Sequence, residues 1–139
     1  MNYRHILVAL ELEEETKALI DRAVYLAKLT DAQISFIHID GSHGEIYPEL
    51  VDLKDSPDQQ PLGERAIEQI IAFEEYSLLS IRQIFVGTGE LADKLKNTIE
   101  DNNVDLLICG HHHDFWSKIV SYSKHIVDKS PVDILVVPL

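Results

Sequence analysis

The most informative segment of the chain is Asp105-Leu106-Leu107-Ile108-Cys109-Gly110-His111-His112-His113-Asp114-Phe115-Trp116-Ser117-Lys118. An apolar run stops at Gly110, three histidines follow, and a pattern of helical period then begins. In an open parallel sheet, such a strand-to-helix loop lies at the carboxyl edge, where ligands usually bind. A glycine there lets a backbone amide approach a ligand, and the next helix points its positive end to the same place. We therefore expect a ligand site at this loop, although three imidazoles are unusual for a phosphate site.

The rest of the chain alternates in the same way between apolar runs and segments of helical period. The runs predict strands at residues 6–10, 33–39, 82–86, 104–109 and 132–137. The periodic segments predict helices at about residues 14–29, 62–76, 91–102 and 114–128. In the second helix, the side chains expected to point inward are Ala66, Ile67, Ile70, Ile71 and Phe73. This alternation predicts an α/β fold, with an open five-stranded parallel sheet covered by helices on both faces.

Composition narrows the class of protein. The 139 residues predict one domain over residues 1–139, and 24 acidic against 12 basic residues give a net charge of −12. Such a charge disfavours nucleic acid and anionic membranes as partners. Cys109 is the only cysteine, so no intrachain disulfide can form, and we interpret it as a small core residue. The first apolar run is too short for a signal peptide or a membrane span, which predicts a cytoplasmic protein.

Several local strings resemble the universal stress protein family, and most closely its A-type bacterial branch. The strings are Tyr3-Arg4-His5-Ile6-Leu7-Val8-Ala9, Ile37-His38-Ile39-Asp40, Gly87-Thr88-Gly89-Glu90-Leu91, Asp105 to His112, Asp114-Phe115-Trp116-Ser117-Lys118 and Val132 to Pro138. The resemblance covers essentially the whole chain and is weakest from residue 41 to residue 60. It implies the strand order 3-2-1-4-5, a homodimer, and a cytoplasmic role in surviving stress or growth arrest.

The resemblance also raises the question of ATP, because some family members bind it and others do not. ATP-binding members carry Gly-x2-Gly-x9-Gly-Ser/Thr after strand four, where the glycines let amides approach the phosphates. Here the pattern begins at Gly110, but His113 and Ser123 occupy the later glycine positions and Lys124 the hydroxyl position. A histidine side chain would fill space that a phosphate needs, although Lys124 could meet a phosphate as a point charge.

ATP-binding members also keep an aspartate at the end of strand one, where this chain has Glu11, with Glu13, Glu14 and Glu15 beside it. Four carboxylates repel a triphosphate unless a metal intervenes. We therefore expect no tight ATP binding and no cofactor. The candidate contacts of a degenerate nucleotide site are Ala9, Glu11, Ile39, Gly110, His113, Ser123 and Lys124.

The residues favour neither a metal centre nor catalysis. His111, His112 and His113 are adjacent, and His38 could lie near them, but adjacent residues seldom point at one centre. Neither Gly-x-Ser-x-Gly nor a Walker loop is present, and Gly87-Thr88-Gly89-Glu90 is interpreted as a turn with Thr88 near a helix cap. Phe115 and Trp116 are interpreted as packing residues rather than as an exposed binding patch.

The last strand is an edge of the predicted sheet and is apolar on both faces. An exposed apolar edge tends to pair with another strand. We therefore expect a homodimer whose interface includes Val132, Ile134, Val136 and Pro138. The sequence thus predicts a non-enzymatic stress protein that acts through unidentified protein partners. The alternative is a regulator that binds ATP or a related nucleotide.

Overall fold

The structure, a computed structural model, describes residues 2–40, 50–55, 62–89, 91–110 and 132–138. Its strands are β1 (His5–Ala9), β2 (Gln33–Asp40), β3 (Val51–Asp52), β4 (Ile84–Thr88), β5 (Leu106–Gly110) and β6 (Asp133–Val137). Its helices are α1 (Thr16–Thr30), α2 (Glu64–Ser77) and α3 (Leu91–Asp101). The helix predicted over residues 114–128 lies outside the described residues.

The strands form one sheet in the order β3-β4-β2-β1-β5-β6. The five parallel strands β4, β2, β1, β5 and β6 follow the order that the resemblance implies, which confirms the α/β fold. Within the described residues the sheet has one strand more than the five expected, because β3 adds an antiparallel strand beside β4, with Val51 opposite Val86. β3 has only two residues, which is too short for an alternating pattern in the sequence.

The two faces of the sheet carry separate apolar clusters. Ile6 and Val8 of β1 pack in one cluster with buried side chains of α1 and α2, among them Leu19 and Ile70. Leu7 and Ala9 point to the other face, where Leu95 and Ile99 of α3 are buried. Successive side chains of a strand point to opposite faces. A strand that is apolar at every position therefore needs helices on both faces, as predicted.

One local prediction was wrong. Ile71 is 45% exposed, because it lies to one side of the buried face of α2, which carries Ile67, Ile70 and Phe73. Thr88 is the last residue of β4, three residues before α3 begins at Leu91, and it is buried and pairs with Asp40 of β2. The turn begins one residue later, at Gly89, whose φ of 102° lies in the region that glycine tolerates.

Candidate functional site

The candidate site lies at the carboxyl edge of the parallel strands. β1 ends at Ala9, β2 at Asp40, β4 at Thr88 and β5 at Gly110. Of the predicted nucleotide contacts, the described residues are Ala9, Glu11, Ile39 and Gly110, and all four lie at or next to this edge. Their role as ligand contacts stays a prediction. His113, Ser123, Lys124, Phe115 and Trp116 lie outside the described residues, as do His111 and His112.

The loop between β1 and α1 is closed by one buried threonine. The Glu11 amide donates a hydrogen bond to Thr16 Oγ1 at 3.3 Å, and the Thr16 hydroxyl donates to the Glu11 carbonyl. Thr16 is 1% exposed, so both bonds are shielded from water. Because its amide and carbonyl are both bonded, the backbone of Glu11 is held in place at the edge, and the acidic residues Glu13, Glu14 and Glu15 follow after Leu12.

The charge of Glu11 reaches the neighbouring strand. Burial, and to a lesser extent the nearby Glu11 carboxylate, raises the pKa of the Cys109 thiol to about 12. Glu11 thus places negative charge beside the end of β5, one residue before Gly110. Cys109 is fully buried in the cluster around α3, as expected for a core residue. A thiol with so high a pKa supplies almost no thiolate, the nucleophilic form, at neutral pH.

His38 is the described histidine at this edge. Its Nδ1 donates a hydrogen bond to the Leu10 carbonyl at 2.9 Å, so Nε2 is the ring nitrogen that could ligate a metal. Burial is the main reason why the pKa of His38 lies below its usual value, and the imidazole is therefore neutral at physiological pH. Within the described part of the chain, no three His, Cys, Asp or Glu side chains are grouped so that they could hold a metal ion.

Three residues at or near this edge were not among the site residues predicted from the sequence: Asp40, Thr88 and Thr16. Asp40 and Thr88 are the last register pair of β2 and β4, and the Gly89 amide donates to the Asp40 carbonyl at 3.1 Å. Asp40 could have been found, since it directly follows the strand predicted over residues 33–39. Thr16 could not have been found in this way, because its hydroxyl bonds the backbone of Glu11, five residues earlier, and no sequence pattern marks that contact.

The predicted dimer strand is also described. Val132, Ile134 and Val136 pack on the α3 side of the sheet, and Leu135 and Val137 pack on the α1 side. Ile134, Leu135 and Val136 are only half-buried in the single chain, and Pro138 is exposed. Among the described strands, β6 pairs only with β5, so one edge of β6 has no described partner.

No helix among the described residues is both long and apolar enough to cross a bilayer.

Comparison with known proteins places the chain in a family. The family model described as "Universal stress protein family" matches residues 2–138. The chain is 36% identical over 139 residues to universal stress protein A of Photorhabdus laumondii, covering 100% of this chain and 97% of that protein. It is 38% identical over 137 residues to the universal stress protein A homolog of Haemophilus influenzae, covering 99% of this chain and 97% of that protein.

Solved structures show the same fold at lower identity. A universal stress protein in complex with cAMP superposes with a TM-score of 0.65 at 14% identity, covering 99% of this chain and 98% of that chain. The family model and the full-length relatives support a role in the stress response, and this chain belongs to the universal stress protein family.

Proposed function

We propose that this protein is a cytoplasmic, non-enzymatic stress regulator that acts through protein contacts as a homodimer and does not bind ATP tightly. The observation that carries this proposal is the position of Glu11, whose backbone is bonded to Thr16 at the carboxyl edge and whose charge acts on Cys109 at the end of β5. A nucleotide in this fold would bring its phosphates to the same edge. The Glu11 side chain is longer than the aspartate that ATP-binding members keep there, and together with Glu13, Glu14 and Glu15 it puts four carboxylates near this edge, which repel a triphosphate unless a metal intervenes.

The sequence around Gly110 supports the same conclusion. His113 and Ser123 stand where ATP-binding members have glycines, and Lys124 stands where they have a hydroxyl. A nucleotide site needs backbone amides that can approach the phosphates. The chain therefore combines a repulsive charge with two side chains at positions that should carry none. We propose that the same loop holds no transition metal.

Calorimetry with ATP and magnesium tests the proposal. The unmodified protein should give no saturable heat at low micromolar concentrations, and no ATP should co-purify with it. The matched variant combines Glu11→Asp, His113→Gly, Ser123→Gly and Lys124→Ser, which restores the family's ATP signature. This variant should gain measurable binding. Stoichiometric binding by the unmodified protein would contradict the proposal.

The stress role is tested in cells. A strain that lacks the protein should survive growth arrest less well, and both the unmodified chain and a Glu11→Gln variant should restore survival. Glu11→Gln removes the charge while keeping the size of the side chain. If rescue required nucleotide contacts at this edge, substitutions of Glu11 and Gly110 would abolish it.

The alternative is a nucleotide-binding regulator, and it is favoured by the solved universal stress protein that contains cAMP. A monoanionic nucleotide meets less repulsion from Glu11 than a triphosphate does. The two functions are separated by titrating the protein with cAMP and with ATP. Saturable binding of cAMP that Gly110→Val abolishes would favour the alternative.

A further inference from the structure

A groove lies between α1 and β6, away from the carboxyl edge. It has a volume of about 560 Å³, within the usual range for small-molecule sites. Its lining is mostly apolar or aromatic, with one guanidinium and one carboxylate: Tyr3, Arg22, Tyr25, Leu26, Leu106, Asp133, Ile134 and Leu135. None of these residues has a role in the function proposed above, except that Asp133, Ile134 and Leu135 lie on the predicted dimer strand.

The wall that α1 contributes is a second stripe, distinct from its buried one. Arg22, Tyr25, Leu26 and Leu29 are spaced i, i+3, i+4 and i+7, so they share one side of the helix. Tyr25 is 62% exposed and Leu29 is 66% exposed. Exposed apolar side chains that continue along a groove mark binding sites more often than single exposed residues do.

The charges along the groove indicate which ligand it suits. The Tyr3 hydroxyl donates a hydrogen bond to Asp133 Oδ2 at 2.7 Å, so this carboxylate already has a donor. Arg22 is exposed and makes no ion pair with any described residue. A guanidinium forms charge-assisted hydrogen bonds to a carboxylate with particularly good geometry.

We propose that this groove binds a small amphipathic carboxylate. The apolar body of the ligand lies on Leu26, Leu106 and Leu135, with Tyr25 along its side, and its carboxylate meets Arg22. The site differs from the nucleotide edge, since it uses the α1 face of β5 and β6 rather than the strand ends. The groove shares Ile134 with the proposed dimer strand, whereas its apolar floor, Leu106 and Leu135, lies on the α1 face of the sheet rather than at the edge that would pair.

Titration with decanoate, below its micelle-forming concentration, tests the proposal on the intact protein. Amide NMR shifts should saturate and should cluster at Arg22, Tyr25, Leu26 and Leu135. Decanol, which has the same chain length without the charge, should bind more weakly. Arg22→Gln should weaken decanoate binding by about threefold to tenfold, as expected for a charged hydrogen bond at a partly exposed site, and should leave decanol unchanged.

Two further variants complete the test. Tyr25→Ala removes an exposed wall and should weaken both ligands, whereas Arg65→Gln removes an exposed guanidinium from α2 and should change neither. Shifts that do not saturate, shifts confined to the strand ends, or equal decanoate binding by Arg22→Gln and the unmodified protein would overturn the proposal. Light scattering on the same samples shows whether the dimer persists, so a failure of the groove is distinguishable from a failure of the proposed assembly.

Discussion

The reactivity of Cys109, the single cysteine of the chain, measures how well the core excludes solvent. Cys109 is fully buried, and burial together with the Glu11 charge raises its pKa to about 12. Alkylating reagents react with the thiolate. We therefore expect iodoacetamide to leave the folded protein unlabelled at about pH 8 and to label one site in denaturant. Labelling of the folded protein at the rate of a free thiol would show that the end of β5 opens to solvent.

A second buried residue, His5, joins three elements at the opposite, amino edge of the sheet. Its Nδ1 donates a hydrogen bond to the Asn102 carbonyl at 2.8 Å, and its Nε2 accepts one from Ser35 Oγ at 2.6 Å. His5 is 2% exposed and Ser35 is fully buried. Both ring nitrogens are therefore used by the neutral imidazole. A proton on Nε2 would replace an acceptor with a donor and would place charge in the core.

The stability of the protein should therefore depend on pH through His5. Burial lowers its pKa below the ordinary 6.5, the Arg82 charge adds to that effect, and the Asn102 bond and Asp105 only partly oppose it. The unfolded chain thus binds more protons than the folded one below about pH 6.5, and the free energy of unfolding falls as the pH falls. When the pH is lowered from about 7.5 to about 5.5, the free energy of unfolding measured by denaturant titration should fall more steeply in the unmodified protein than in His5→Gln.

A second histidine, His38, must be included in this comparison of pH dependence. Burial lowers its pKa in the same direction, so some pH dependence remains in His5→Gln. A double variant, His5→Gln with His38→Gln, should be flatter still. Equal slopes in all three proteins would contradict the role assigned to His5.

Among the individual elements, α1 has two faces that should contribute differently to the stability of the protein. Leu19 is fully buried in the sheet core, whereas Leu29 is 66% exposed beside the groove. Leu19→Ala should lower the free energy of unfolding by about 2–5 kcal/mol, because it removes a buried side chain and leaves a cavity. Leu29→Ala should change it by less than about 0.5 kcal/mol. Chemical denaturation of both variants checks the pair, and a large loss in Leu29→Ala would mean that the exposed stripe is covered.

The long periodic elements could be predicted from the sequence, whereas the short ones could not. α1 and α2 repeat their buried side chains over about four turns, so their positions follow from the pattern alone. β3 has two residues and is held by its register with β4 and by the bond from the Ile84 amide to Asp52 Oδ1 at 3.0 Å. Such a strand depends on a contact between residues 32 positions apart, which no local pattern encodes.

The candidate site was predictable only in part for a similar reason. Glu11, Ile39 and Gly110 each end or follow an apolar run, and the carboxyl ends of parallel strands share one edge. Their common location could therefore be inferred. The two hydrogen bonds between Glu11 and Thr16 could not, because they depend on how the loop closes after β1 has been placed.

At the scale of the whole molecule, the strand order leaves β6 at one end of the sheet. β3 covers part of β4 at the other end, over two register pairs. β6 is apolar on both faces, and its outer edge has no partner among the described strands. Antiparallel pairing with a second copy would satisfy that edge and would join the two sheets across a twofold axis.

The backbone of β6 indicates which residues would make the pairing. The Asp133 amide donates to the Asp105 carbonyl at 3.1 Å, so Asp133 directs its backbone groups toward β5. Because these groups alternate in direction along a strand, Ile134 and Val136 direct theirs to the open edge. Val136→Pro should thus remove a donor from the dimer without removing one from the β5 pairing.

We therefore expect the unmodified protein to be a dimer at tens of micromolar, with Ile134 and Val136 near the axis. Light scattering should show monomers or insoluble protein for Val136→Pro and for Val136→Asp. Val136→Thr is the matched control, because it keeps the amide and the branched shape of the side chain, and it should remain a dimer. Circular dichroism separates loss of pairing from loss of folding, since a folded monomer keeps its helical signal. A monomer for the unmodified chain, or a dimer that survives both Val136→Pro and Val136→Asp, would show that the molecule does not assemble through β6.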